Sequence, residues 1–167
     1  FGELEGEEFN GVLTDFYSAL NEVQKDPSNL VTRSTLIEVA TDLVNRSSLI
    51  YNQLQDYQVN LNQQLQDQVD AINSIATKIN KLNRDISKVE SAGIEHANDL
   101  RDSRNELIDQ LGTYGEIKYN EDDHGVVSIL FEGKPLITED EAFKLGTTKI
   151  NEDSDLLKVV WTSHGSI

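Results

Sequence analysis

Two stretches gather side chains able to hold a metal ion. Glu95, His96, Asp99 and Asp102 bring one imidazole and three carboxylates close together, the donor types that divalent cations accept. His96 and Asp99 also fall near an expected helix start, where acidic residues complement the helix dipole with no ion present. Asn120, Asp122, His124 and Gly125 imitate the first half of a calcium loop. That loop needs a glutamate at its twelfth position, and Phe131 stands there, so a turn is the simpler reading. Asn45-Arg46-Ser47 has the pattern of a glycosylation acceptor but lies inside an expected helix. The three histidines, His96, His124 and His164, sit on different segments, and no serine or threonine has an evident activating partner. There is no phosphate loop and no dinucleotide fingerprint. Carboxylates are numerous enough for an acid pair, yet nothing in the sequence sets two of them in a cleft. The expectation is a protein with no catalytic, metal or cofactor site.

The elements that would carry these groups explain why. From near Leu30 to near Glu90 there is neither proline nor glycine, and an apolar residue recurs every three to four positions. As one helix this run would extend roughly 90 Å at 1.5 Å per residue, a length that spaces or assembles and is a poor frame for a pocket. Its seam reads Leu36, Ala40, Leu43, Ser47, Ile50, Leu54, Tyr57 and Leu61, in the alternating steps of a heptad. Leu65, Val69 and Ile72 insert a stutter, and Ala76, Ile79, Leu82, Ile86 and Val89 resume the repeat. Such a seam needs at least one covering helix. Glu7 to Lys25 offers one, with Phe9, Val12, Leu13, Phe16, Tyr17, Leu20 and Val23 on a stripe. Asp26-Pro27-Ser28-Asn29 breaks the two apart, because proline cannot continue the preceding helix, and Ser28 or Asn29 can cap the next. Gly93 ends the long run, and a third helix is expected from about Ala97 to Leu111 with Gly112 as its C′ residue. It folds back on the rod as an αα-hairpin.

After Gly112 the period becomes two. Ile117 and Tyr119, then Val127, Ile129 and Phe131, read as strands joined through Asp122-Asp123-His124-Gly125, where Gly125 suits positive φ. Glu132-Gly133-Lys134-Pro135 reads as a second turn before a short strand, Leu136-Ile137, and Val159, Val160 and Trp161 suggest a last one. The predicted fold class is therefore α+β, with a long antiparallel, coiled-coil-like helical rod over 1–112 (helices about 7–25, 30–91 and 97–111). A small, mostly antiparallel β unit follows over 113–167, expected to be truncated.

The chain has 167 residues and a formal net charge of −16, of which −10 accrues up to Gly112 and −6 beyond it. A field of that sign repels phosphate backbones and anionic lipid, which argues against nucleic-acid and membrane partners. Cysteine is absent, so no disulfide or thiolate chemistry is available, and the lack of any methionine suggests that Phe1 is not the natural start. The amide-rich stretch Asn52 to Gln68, charged only at Asp56 and Asp67, reads either as a solvated face or as a contact surface for neighbouring subunits.

Several of these segments resemble the flagellar axial proteins. Asp26-Pro27-Ser28-Asn29-Leu30 with Arg33 resembles the joint between their first core helices. Ile72-Asn73, Ile75, Ile79, Leu82-Asn83 and Ile86 resemble the late part of their long helix. Asn98-Asp99-Leu100-Arg101-Asp102-Ser103-Arg104-Asn105-Glu106-Leu107 resembles the motif opening their third. The glycine-containing hairpin and Gly133-Lys134-Pro135-Leu136-Ile137 narrow the likeness to the hook-associated protein 1 family of the hook–filament junction, over nearly all of the chain up to about Ile137.

The resemblance implies a non-enzymatic structural subunit, exported unfolded through the flagellar channel to an extracellular ring between hook and filament. It implies self-assembly, contacts with hook protein and other hook-associated proteins, and an export chaperone acting through terminal segments that lie outside this chain. Without those segments part of the Leu36–Val89 seam is expected to stay exposed or to be buried in an oligomer. The resemblance also implies that Arg33, Asp99, Asp102 and Arg104 make ion pairs that fix hairpin register or subunit contacts. The aliphatic seam is expected to matter more, with Leu36, Leu43, Leu54 and Leu82 as its test positions. Flagellin, the third hook-associated protein and a coiled-coil adhesin or signalling stalk are the competing readings.

Overall fold

A computed structural model describes residues 2–91 and 97–162, with the side chains of 2–7 left aside. Glu95, His96, His164 and the expected break at Gly93 lie outside the described residues. The chain forms two compact units, Phe1–Val59 and Asn60–Ile167.

The first unit holds α1 (Gly2–Lys25) and the opening part of α2 (Leu30–Ser91). The break between them is built as the residue types require. Asp26 Oδ1 accepts from the Ser28 N–H and hydroxyl, and Asn29 Oδ1 accepts from the N–H groups of Val31 and Thr32. Asn29 is thus the residue that caps α2, satisfying donors that the first helical turn leaves free. Ala19 of α1 is buried, and Phe9 and Phe16 of α1 and Leu36, Val39, Leu43 and Ile50 of α2 are half-buried. Glu8 pairs with Arg46 across the two helices.

The second unit combines the later part of α2 with α3 (Asn98–Gly112) and five strands. Strands β1 (Ile117–Glu121), β2 (Val127–Phe131) and β3 (Lys134–Ile137) form an antiparallel sheet in the order β1-β2-β3. Strands β4 (Lys144–Lys149) and β5 (Leu157–Thr162) form a separate antiparallel hairpin. One apolar core unites helices and strands: Val69, Ile72, Ile75, Ala76 and Ile79 from α2, Ile108 and Leu111 from α3, Val127, Ile129 and Phe131 from β2, Leu136 and Ile137 from β3, and Leu145 from β4. The alternation of β2 places exactly one face of that strand inward, as period two demands.

Three local readings change. Gly112 is the last residue of α3 and has no positive φ; Thr113 caps the helix instead, in ordinary right-handed geometry. The turn after β2 is only Glu132-Gly133, both at positive φ (49° and 74°), which matches the twist of a two-residue hairpin and lets Lys134 and Pro135 enter β3. Strand β4 has no counterpart in the sequence reading, since Lys-Leu-Gly-Thr-Thr-Lys shows no apolar alternation. Strands after Gly112 share a core with residues of α2, whereas compactness separates the chain between Val59 and Asn60.

Candidate functional site

Helix α3 carries Arg101 and Arg104 at i, i+3, on neighbouring positions of its surface. Arg104 lies within the apolar stripe of Leu100, Leu107, Ile108 and Leu111 and is 1% exposed. An arginine cannot shed its charge, so burial obliges it to find acceptors. It donates through Nη1 to Asn83 Oδ1 at 3.1 Å and to the Gly125 carbonyl at 2.5 Å, and its Nη2 lies 3.2 Å from Glu121 Oε1. Asn83, itself buried, donates to the Val127 carbonyl at 2.8 Å and accepts the Val127 N–H at 3.1 Å. One amide on α2 therefore joins strand β2 to the buried arginine.

Arg101 closes the upper half of the cluster. Its Nε and Nη2 each donate at 2.8 Å to a different oxygen of Glu90, a bidentate pair that fixes direction as well as distance. Its Nη1 donates to Glu121. Glu90 also accepts the Ala97 N–H at 3.2 Å, so a single carboxylate from the end of α2 holds both the backbone before α3 and an arginine on it. The hydrogen bond to Glu90, opposed by desolvation and aided by Glu121, raises the Arg101 pKa still further above its ordinary range.

The β1–β2 turn must come close to deliver the Gly125 carbonyl, a position that favours glycine. Gly125 has φ +75°, and a Cβ there would stand 2.8 Å from Arg101 Nη2 and 3.0 Å from Glu90 Oε2. Asp122 shapes the same turn by accepting the N–H groups of His124 and Val126 at 2.9 Å. The residues that imitate a calcium loop thus spend Asp122 on the turn's own backbone.

Of the residues picked from sequence, Arg104 is central to this cluster. Asp99 and Asp102 are exposed on α3, and Arg33 is exposed on α2; none of the three makes an ion pair among the described residues. Leu36, Leu43 and Leu82 are half-buried, and Leu54 is 61% exposed. Sequence reasoning did not single out Arg101, Glu90, Glu121 or Asn83 as partners. The available signal was Arg104 itself, a charge inside an apolar stripe.

Every group in this cluster is a fixed cation, a carboxylate or amide already engaged, or a backbone carbonyl. Its chemistry is to hold α2, α3 and the β1–β2 hairpin in one arrangement, the bracing of a helix-rich α+β fold. The family model described as flagellar hook-associated protein FlgK helical domain matches residues 1–167. The chain belongs to that family.

Flagellar hook-associated protein 1 of Bacillus subtilis (strain 168) is 30% identical over 116 residues, covering 70% of this chain and 23% of that protein. The protein of the same name from Salmonella typhimurium (strain LT2) is 24% identical over 159 residues, 94% of this chain and 29% of that protein. The flagellar hook junction protein FlgK from Burkholderia pseudomallei has the same fold, with a TM-score of 0.82 and 24% identity over 95% of this chain and 28% of that one. This chain therefore spans less than a third of the length of these relatives.

Proposed function

We propose that this chain is the helical part of a structural subunit that adapts hook to filament at the hook–filament junction of the bacterial flagellum. Membership of the FlgK helical-domain family over the whole chain is the observation that carries this reading. The site geometry agrees with it, because Arg104 and Arg101 are committed to acceptors within the chain and serve rigidity. Work is done by packing between subunits and not by turnover. The subunit is exported through the flagellar channel, self-assembles into a ring, and meets hook protein on one side and other hook-associated proteins on the other. Arg33, Asp99 and Asp102, exposed on their helices, serve contacts with neighbouring subunits, while Arg104 holds the subunit's own register.

The test is location and loss together. Deleting the gene in the source bacterium should leave hooks without filaments, and the full-length gene should restore filament growth. Immunogold labelling with antibody against this chain should mark a single band at the hook–filament boundary. Label along the filament would instead identify a filament protein, and normal filaments in the deletion strain would remove the junction role.

A further inference from the structure

The three-stranded sheet and the β4–β5 hairpin are seated on α2 by the same device, but with different depth. Asn83 exchanges two hydrogen bonds with Val127 of β2. Asn73 does the same with β4, donating to the Leu145 carbonyl at 2.9 Å and accepting the Leu145 N–H at 2.9 Å. Asn62 donates to the Asp155 carbonyl at 2.7 Å and accepts the Leu157 N–H at 2.9 Å, at the start of β5. Asn62 and Asn73 are eleven positions apart, close to three full turns, so both amides leave the same face of the helix. That separation is roughly 16 Å along the helix. The partners Leu145 and Leu157 lie four residues apart along the paired strands, since Leu157 faces Lys149, a span of roughly 13 Å. The two spacings are close enough for both amides to engage one hairpin.

What lies under the two sheets differs. Strand β2 buries three side chains, Val127, Ile129 and Phe131, and is linked through Asn83 to Arg104. In the β4–β5 hairpin only Leu145 is buried; Leu157, Val160 and Trp161 are half-buried, Trp161 resting against the core. The hairpin also borders an open groove of about 400 Å³ lined by Leu65 and Ile72 of α2 together with Phe131, Leu145, Val159 and Trp161. Its strands are paired with each other, and a short bridge just before β4, with the Phe143 N–H donating to the Leu136 carbonyl at 2.8 Å, links it to the edge of β3. A two-stranded hairpin has marginal stability by itself, so what keeps it in place is its contact with α2 and the core: Leu145, Trp161 and the two amide pairs.

We propose that Asn62 and Asn73 are paired pins that strap the β4–β5 hairpin onto α2, and that the hairpin lifts from the helix as one unit while the β1–β2–β3 sheet stays seated. Segments with few buried contacts open at lower free energy than the core they rest on. This concerns the chain by itself and is independent of its place in the flagellum.

Native-state hydrogen exchange on the whole chain tests it. The amides of Leu145, Leu157 and the β4–β5 ladder should exchange together, well before those of Val127 and Ile129. Asn73→Ala and Asn62→Ala should each speed exchange across the hairpin by about tenfold, the loss expected for a pair of hydrogen bonds, and leave Val127 protected. Asn73→Asp keeps the acceptor for the Leu145 N–H and loses the donor, so it should fall between wild type and Asn73→Ala. Two results would overturn the strap: hairpin amides that exchange only with the whole chain, or alanine variants that leave hairpin protection unchanged. Loss of Val127 protection together with the hairpin in either variant would overturn it equally, because the two sheets would then open as one.

Discussion

The same helix is read twice in this molecule, with opposite results. In Phe1–Val59 the heptad positions of α2 are at best half-buried, and Leu54 and Tyr57 are 61% and 62% exposed. In Asn60–Ile167 the continuation of that repeat is largely sealed: Val69, Ile72, Ala76, Ile79 and Ile86 are all buried, Ile79 and Ile86 completely. The repeat is largely apolar in both, with Ser47 its polar position in the first. In the second unit α3 and two sheets lie against it, whereas in the first the described cover is α1. Periodicity makes a helix amphipathic; what lies opposite decides whether that stripe contributes stability.

The comparison is broken most severely at the buried arginine. Arg104→Ala removes a charge that three acceptors surround and should destabilise the second unit by about 3–5 kcal/mol. Trp161 is the only tryptophan and packs against that unit's core, so its fluorescence in a denaturant titration reports the loss. Next come the cavities. Ile79→Ala and Leu111→Ala should each cost about 2–5 kcal/mol. Leu54→Ala should stay within about 0.5 kcal/mol, with half-buried Leu36, Leu43 and Leu82 in between. A large loss at Leu54 would mean that its stripe is covered in solution, and sedimentation would then show an oligomer.

Gly125→Ala places a Cβ against Arg101 and Glu90 at positive φ, and should cost about 1–3 kcal/mol. Asn29→Ala tests the first unit alone. It should remove about 1 kcal/mol of helix stability, visible in far-UV circular dichroism and silent at Trp161. The smallest effect is electrostatic. The hydrogen bond from Lys149 lowers the Asp155 pKa, so any stabilisation from this exposed pair is present at neutral pH and fades as pH falls below about 4. Lys149→Met should abolish that acid dependence and leave neutral-pH stability almost unchanged.

Much of the architecture was legible because it is written locally. The bounds of α2 at Leu30 and Ser91 follow from a run without glycine or proline and from a capping asparagine beside Pro27. The β1–β2 hairpin follows from alternation and from a glycine at the position where φ is +75°. The candidate site was legible only in outline. Arg104, Asp99 and Asp102 were picked together through the family resemblance, yet Arg104 is buried in the apolar stripe while Asp99 and Asp102 sit on the exposed side of α3. Asn73 and Asn83 entered only as part of the family resemblance and Asn62 as part of an amide-rich stretch, because nothing near them in sequence reveals that a strand arrives opposite. Gly112 looked like a stop signal, yet the helix includes it.

By itself, then, the sequence determined the helices, most of the strands, the turn residues and the family likeness, since each depends on residues within a few positions of one another. The tertiary structure decided which apolar stripe is buried, which arginine meets which carboxylate, and where the chain divides. Those outcomes join groups far apart in sequence, such as Asn83 and Val127, 44 positions apart. Their energies exist only once packing has excluded water from between them, because a hydrogen bond or ion pair gains its strength from the low dielectric that the fold creates.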